Sequence, residues 1–199
     1  MNLLKHTALA LALGFGVSGF SQAATNLTSA LNVDNLFTLY VSTDDGVLGT
    51  FVGTGNDWPT TYSFTTALTA GVDNYIHVVA TDQGGPGAFL GEFTLSNADF
   101  AFANGTQTLV TDTTHWTQRL AGFNDADMTP VSGGVNGVSP WGLRSGVGAG
   151  ATWLSYESGT TTYFTTRITS LAPVPEPGTW ALMISGLGLL GFAARRKTR

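Results

Sequence analysis

The sequence predicts an all-β protein: an antiparallel β-sandwich or jelly roll, preceded by a signal peptide and followed by a single transmembrane helix. Three observations carry that expectation. Segments rich in aromatic and β-branched residues recur about every 10 to 14 residues between positions 32 and 171, with Gly, Asn and Asp turns between them. No stretch of that region combines a 3.6-residue apolar period with helix caps. Apolar runs lie at both ends of the chain, one after a lysine and one before an arginine cluster.

In chain order, Lys5 precedes an apolar stretch over 8–20, and Ser21-Gln22-Ala23 puts small residues at both cleavage-site positions. The expected cut follows Ala23, so residues 1–23 are a signal peptide and 24–172 form the body. Within the body, 36–41 reads as a strand ending at the turn Thr43-Asp44-Asp45-Gly46, and 47–52 as its partner. Residues 61–65 alternate polar with aromatic, as a half-buried strand does. The run 75–81 is more continuously apolar, and Gly84-Gly85-Pro86-Gly87 separates it from 89–95. Later strands are expected at 108–110, 152–156 and 162–168, and 123–150 reads as long loops with one short helix.

The C-terminal segment 173–199 has three parts. Pro173-Val174-Pro175-Glu176-Pro177 is a stiff hinge, 178–194 is an uncharged run, and Arg195-Arg196-Lys197-Thr198-Arg199 is a basic stop. Those 17 residues would span roughly 26 Å as a helix, just under the hydrocarbon thickness of a bilayer. Trp180 would sit at one interface, and the arginines would stay cytoplasmic, leaving the body on the far side. Gly186, Gly188 and Gly191 make the anchor marginal. An ordinary tail anchor is the plainer alternative. The two ends independently require export.

Val174-Pro175-Glu176-Pro177, the apolar helix and Arg195-Arg196 together resemble the PEP-CTERM sorting domain of Gram-negative bacteria. The resemblance implies recognition by an exosortase, a membrane-embedded cysteine protease, and cleavage near Pro175, Glu176 and Pro177. It further implies an exported protein of exopolysaccharide-making bacteria, associated with biofilm or floc matrix.

Composition narrows the body. Three arginines stand against thirteen carboxylates between Asp34 and Glu176, a net charge near −10 with no lysine. That is the reverse of a nucleic-acid footprint, so no nucleic-acid partner is expected. The chain has no cysteine, which excludes disulfides, thiol catalysis and cysteine-based metal sites. Of its three histidines, His6 leaves with the signal peptide, and His77 and His115 remain.

A second resemblance runs over 32–171. Asp34-Asn35-Leu36-Phe37-Thr38-Leu39-Tyr40-Val41, Asp57-Trp58, Leu68-Thr69-Ala70-Gly71-Val72-Asp73-Asn74-Tyr75-Ile76-His77-Val78 and Asp82-Gln83-Gly84-Gly85-Pro86-Gly87 carry its first half. Leu109-Val110-Thr111-Asp112, Trp116, Pro140-Trp141-Gly142, Trp153 and Tyr163-Phe164-Thr165-Thr166-Arg167 carry the second. These are similar to the galactose-binding-like jelly rolls appended to secreted glycosidases, with departures at Ser42-Thr43-Asp44-Asp45-Gly46 and at Thr165.

Trp58 and Trp141, in loops, are the candidate sugar platforms, because an indole offers a flat apolar face with a polar handle. Trp116 offers the same face, whereas Trp153 lies mid-strand and reads as core. The alternative is that all of them cap the sandwich. Asp44, Asp45, Asp57, Asp82, Asp112, Asp125 and Asp127 fall at turns, where aspartate serves the local backbone, but such loops also suit a structural calcium ion. Asp34 and Asp82 are the candidate ligands. No other cofactor is expected. Catalysis finds little support: Ser139 lacks the second glycine of a nucleophile elbow, and the run 146–150 lacks the spacing of a phosphate loop.

The expected protein is therefore a non-enzymatic β-sandwich, anchored transiently in the inner membrane, handed to an exosortase and delivered to the cell surface or extracellular matrix. A structural or adhesive role among exopolysaccharide or biofilm components is the leading expectation. A carbohydrate-binding module that takes a glycan is the alternative, and a secreted hydrolase a distant third.

Overall fold

Aromatic and β-branched side chains pack best on pleated, half-buried surfaces, and the body places them there. In the computed structural model, which describes residues 24–171 and 182–190, the body is built from strands paired antiparallel in two sheets. They are β1 (Asn26–Asp34), β2 (Leu36–Ser42), β3 (Thr50–Gly55), β4 (Tyr62–Ala67), β5 (Asn74–Thr81) and β6 (Gly87–Leu95), then β7 (Phe100–Phe102), β8 (Thr108–Val110), β9 (Thr117–Arg119), β10 (Val131–Val135), β11 (Thr152–Tyr156) and β12 (Thr161–Ser170). The first sheet runs β10-β11-β6-β1-β4, with β8 also on β6. The second runs β3-β2-β5-β12-β7, with β9 also on β12.

The two sheets face each other across one apolar core. Leu27, Leu31, Phe89 and Phe93 come from the first sheet, and Leu39, Ile76, Val78, Phe164 and Ile168 from the second. Because side chains alternate along a strand, Ala88 and Leu90 of β6 point to the opposite face. That face is covered too. Trp141, Val147 and Ala151, from the segment before β11, close over it with Trp153 to form a second buried cluster. The outer face of the second sheet is covered in part by Phe123, whose ring lies 3.8 Å from that of His77 on β5.

These coverings come from the segment expected to be loops with a helix. Among the described residues of 123–150 there is no helix; the segment holds β10 and a succession of turns. Two glycines, Gly133 and Gly134, give β10 the look of a turn, and it pairs with β11 through a register shift between Ser132 and Gly134. The strand expected at 47–52 lies later, at Thr50–Gly55, because 43–48 closes a polar turn beside His77.

The signal peptide at 1–23, with its cut after Ala23, lies outside the described residues. Of the span expected at 178–194, residues 182–190 are described and are helical, and the rest lies outside. Among the described residues no helix is long and apolar enough to cross a membrane.

Candidate functional site

Two polar centres stand out in the body, one at an end of the sandwich and one on its flank. The first is built where β1 hands over to β2. Asp34 closes β1 and pairs in register with Ala88 on β6. The amide of Asn35 donates to the Thr81 carbonyl at 3.3 Å, and the Gln83 amide donates to Asn35 Oδ1 at 2.7 Å. These bonds set the Asp34–Asn35 turn beside the Asp82–Gln83 turn, so the end of one sheet meets the end of the other.

Both carboxylates are buried, Asp34 to 8 % exposure and Asp82 to 3 %. Asp34 Oδ2 accepts the Trp141 indole N–H at 2.9 Å, and Oδ1 accepts the Asn35 side-chain amide at 2.6 Å. The Tyr156 hydroxyl donates to the Asp34 main-chain carbonyl. Asp82 Oδ2 accepts the Gly84 and Gly159 amides at 2.9 and 2.7 Å. Burial pushes the Asp34 pKa up, the Trp141 bond opposes it, and the charge of Asp82 adds to the rise. The Tyr156 hydroxyl is raised by burial and then by both carboxylates. Gly87 is glycine for a packing reason: a Cβ there would lie 2.7 Å from the Tyr156 ring and 3.1 Å from Asp82 Cβ.

The candidate sugar platforms are separated by this arrangement. Trp141 sits in a loop, as expected, but is 4 % exposed, its ring 4.9 Å from that of Trp153 and stacked on it. Its indole edge is spent on Asp34. Trp116 is 1 % exposed and packs edge-on against Phe89 at 5.2 Å. Trp58 is half-buried, with the Arg144 guanidinium 5.2 Å above its ring. Trp153 is core, as expected.

The second centre gathers on the outer face of the second sheet, where Tyr40, His77 and Thr165 lie side by side on β2, β5 and β12. Asp45 reaches over them. Its Oδ2 lies 2.6 Å from Arg119 Nη2, and its Oδ1 accepts the Thr165 hydroxyl at 2.9 Å and lies 3.4 Å from His77 Nε2. Arg119, at the end of β9, also donates to Asp127 Oδ1 at 2.6 Å and to the carbonyls of Phe123 and Asp45. Burial raises the Asp45 pKa, but the Arg119 and Thr165 bonds and the guanidinium charge outweigh it and hold the carboxyl below its usual value. Burial lowers the His77 pKa, and the bonds to Asp45 and Leu48 oppose that fall without reversing it.

Beside this cluster lies a cleft of about 340 Å³, lined by Asp45, Tyr75, His115, Asp127, Thr165 and Arg167 among others. His115 Nδ1 lies 2.8 Å from Asp112 Oδ2, and bonds from His115 and Thr114 hold Asp112 below its usual pKa against the effect of burial. Among the described residues neither imidazole bonds a serine or threonine hydroxyl, and Ser139 is exposed in a turn remote in sequence from both. Asp44, Asp57 and Asp125 serve their own turns: Asp44 accepts the Gly46 amide, Asp57 the Thr60 hydroxyl, and Asp125 the Ala121 and Ala126 amides.

The third functional element is the tail, and comparison with known proteins decides it. Residues 173–197 match the PEP-CTERM protein-sorting motif. The motif holds Pro175, Glu176, Pro177, Arg195 and Arg196, all of which lie outside the described residues. It implies an exported protein handled by an exosortase at the membrane. No curated protein and no solved structure matches the chain. The PEP-CTERM match covers the tail alone, so the body is read from its own geometry.

Sequence reasoning paired Asp34 and Asp82 as candidate ligands of one ion, and the structure brings them to the same end of the sandwich. That reasoning passed over Arg119, one of only three basic residues in the body. That scarcity was the available signal: three arginines stand among thirteen carboxylates, so one of them is drawn to several at once.

Proposed function

We propose that this is an exported protein which an exosortase processes at the inner membrane and releases to the cell surface or extracellular matrix. There its acidic β-sandwich, of the galactose-binding-like jelly-roll type, serves a structural or adhesive role in an exopolysaccharide or biofilm matrix. One observation carries the reading: the match of residues 173–197 to a sorting motif in which the hinge, the apolar run and the arginine cluster stand in order. A body with no lysine and a strong net negative charge suits a hydrated polymer matrix, where solubility matters.

The experiment follows both ends of the protein in a host that makes an exosortase. Wild type is expected at the surface in a form lacking the arginine cluster, and in cells without the exosortase it should accumulate uncut in the inner membrane. Glu176→Ala should reduce the processed form at least about tenfold, a loss of roughly 1.4 kcal/mol or more in recognition. Recovery of an uncut chain from the cytosol, or processing that persists without the exosortase, would overturn the reading.

A second reading, a carbohydrate-binding module, is favoured by the flank cleft. Sugars are bound by an aromatic face ringed with fixed hydrogen-bonding groups, and Tyr75, His115, Asp127 and Arg167 supply that chemistry. Trp58 remains as a half-buried platform on a different part of the surface. On a glycan array, Tyr75→Ala should weaken binding about tenfold or more if the cleft is the site. If Trp58→Ala does so and Tyr75→Ala does not, the site is at Trp58. Absence of binding to any glycan leaves the structural role.

A further inference from the structure

Carboxylates that lose their water on folding are found paired with a cation or coordinating a metal, because an unpaired buried charge is among the most costly arrangements in a protein. Four less buried aspartates of the body have a cationic or imidazole side-chain partner: Asp45 and Asp127 pair with Arg119, Asp73 with Arg167, and Asp112 with His115. The two aspartates buried most deeply do not. Among the described residues Asp34 and Asp82 have no arginine, lysine or histidine partner, yet they are 8 % and 3 % exposed and share one end of the sandwich. Like charges brought to one buried end repel each other unless a cation lies between them.

A second observation is independent of their charge. Asp82 Oδ1 is buried and has no hydrogen-bond partner, although Oδ2 of the same group accepts two amides. Buried polar atoms almost always find a partner, and a carboxylate oxygen left bare in a well-bonded turn asks for a ligand.

We propose that the Asp34–Asp82 end of the sandwich binds one calcium ion, with oxygens of both carboxylates and main-chain carbonyls of the adjoining turns as its ligands. The donor set is all oxygen; His77 and His115 are engaged at the flank, and the chain has no cysteine. That composition selects a hard cation. Calcium suits it better than magnesium, which keeps most of its water and demands a strict octahedron, whereas this site is buried and fixed by strand ends. Among the described residues no three His, Cys, Asp or Glu side chains converge, so the carbonyls must complete the shell. Asp34 Oδ1 and Oδ2 each accept one hydrogen bond and keep a second lone pair for the ion. The ion would neutralise the pair that no side chain neutralises and tie β1 to the turn after β5. The proposal stands whether or not the sorting and matrix reading does.

The test uses the full-length protein in detergent, stripped with EGTA. Metal analysis before stripping should find about one calcium per chain. Adding calcium at about 100 times its Kd should raise the melting temperature by about 5 to 10 °C. Terbium should give emission on indole excitation, since Trp141 lies against Asp34, and calcium should quench it by displacement. Asp82→Asn keeps an oxygen for the two amides but loses the charge, so it should abolish the terbium signal and the calcium shift. Asp57→Asn, at an exposed turn, should change neither. No bound metal and a melting temperature indifferent to calcium would overturn the proposal. A calcium shift surviving in both Asp82→Asn and Asp34→Asn would overturn it by placing the ion elsewhere. Should neither variant fold, the metal content and the EGTA response of the wild type decide.

Discussion

Trp116→Ala is expected to remove about 3–5 kcal/mol of folding free energy, the range for truncating a fully buried indole. Trp116 is 1 % exposed, and its ring lies 5.2 Å from both Phe89 and Phe93 on β6. The indole N–H donates to the Val110 carbonyl at 3.3 Å, so the substitution also leaves that carbonyl one donor short. Both rings belong to β6, which is fixed by ladders to β1 on one side and to β11 and β8 on the other, so they cannot collapse into the space. Urea denaturation followed by circular dichroism should show a lower midpoint with an unchanged slope, as for a pure loss of stability. A cost below about 1 kcal/mol would mean that the indole is not core, and would restore it as a surface platform for a ligand. The result bears on function because sequence alone leaves Trp116 open to both roles.

Much of the fold was legible because the central strands of the second sheet are typical in composition. In β2, β5 and β12, β-branched and aromatic residues dominate, and these three strands lie side by side at the centre of the second sheet. β1 was not legible, although it pairs with both β4 and β6. Its sequence carries Asn, Ser and Asp, residues depleted in strands. The polar groups at its buried positions are answered from far along the chain: Asn32 donates to the Trp58 carbonyl at 3.3 Å and accepts the Thr61 hydroxyl at 3.0 Å. Those partners lie 26 and 29 residues away, beyond any local window. β10 was hidden by its glycines, and β7 and β9, at three residues each, are too short for a period to register.

The same limit governs the sites. A tryptophan flanked by proline and glycine belongs in a loop, and Trp141 is in one. Whether that loop faces solvent or folds back over a sheet depends on Leu90, Val147 and Trp153, residues that meet Trp141 only in the folded chain. Asp34 and Asp82 were legible as candidate ligands of one ion, and the depth of their burial was not. The tail differs in kind. Its recognition signal is local by construction, since an enzyme must read it along the chain, so it can be read from sequence without the fold.

Arg119→Met should cost about 2–4 kcal/mol, the lower part reflecting the partial exposure of its partners. Arg119 is 6 % exposed, whereas Asp45 is 35 % and Asp127 56 % exposed, so water recovers part of the loss. Arg167→Met, which breaks an exposed pair with Asp73, should cost no more than about 1 kcal/mol and serves as the control. The pH dependence separates the two groups that face Arg119. His77 is held neutral by burial, so its folded pKa lies below the usual value of about 6.5, while the unfolded chain takes up a proton there. Below about pH 6.5 the unfolded state therefore binds more protons than the folded state, and stability falls as pH falls through that window. His77→Gln should flatten this decline. Asp45 acts in a lower window. Its folded pKa is depressed, so its contribution is present above about pH 3.8 and is lost as pH falls further. Arg119→Met removes the main cause of that depression and should shrink the lower window, while the upper one persists because burial, not Arg119, dominates at His77. Melting temperatures measured from pH 3 to 8 on both variants would resolve the two steps. A wild-type curve flat between pH 5 and 6.5 would show that His77 is not the buried neutral imidazole that its contacts with Phe123 and Asp45 describe.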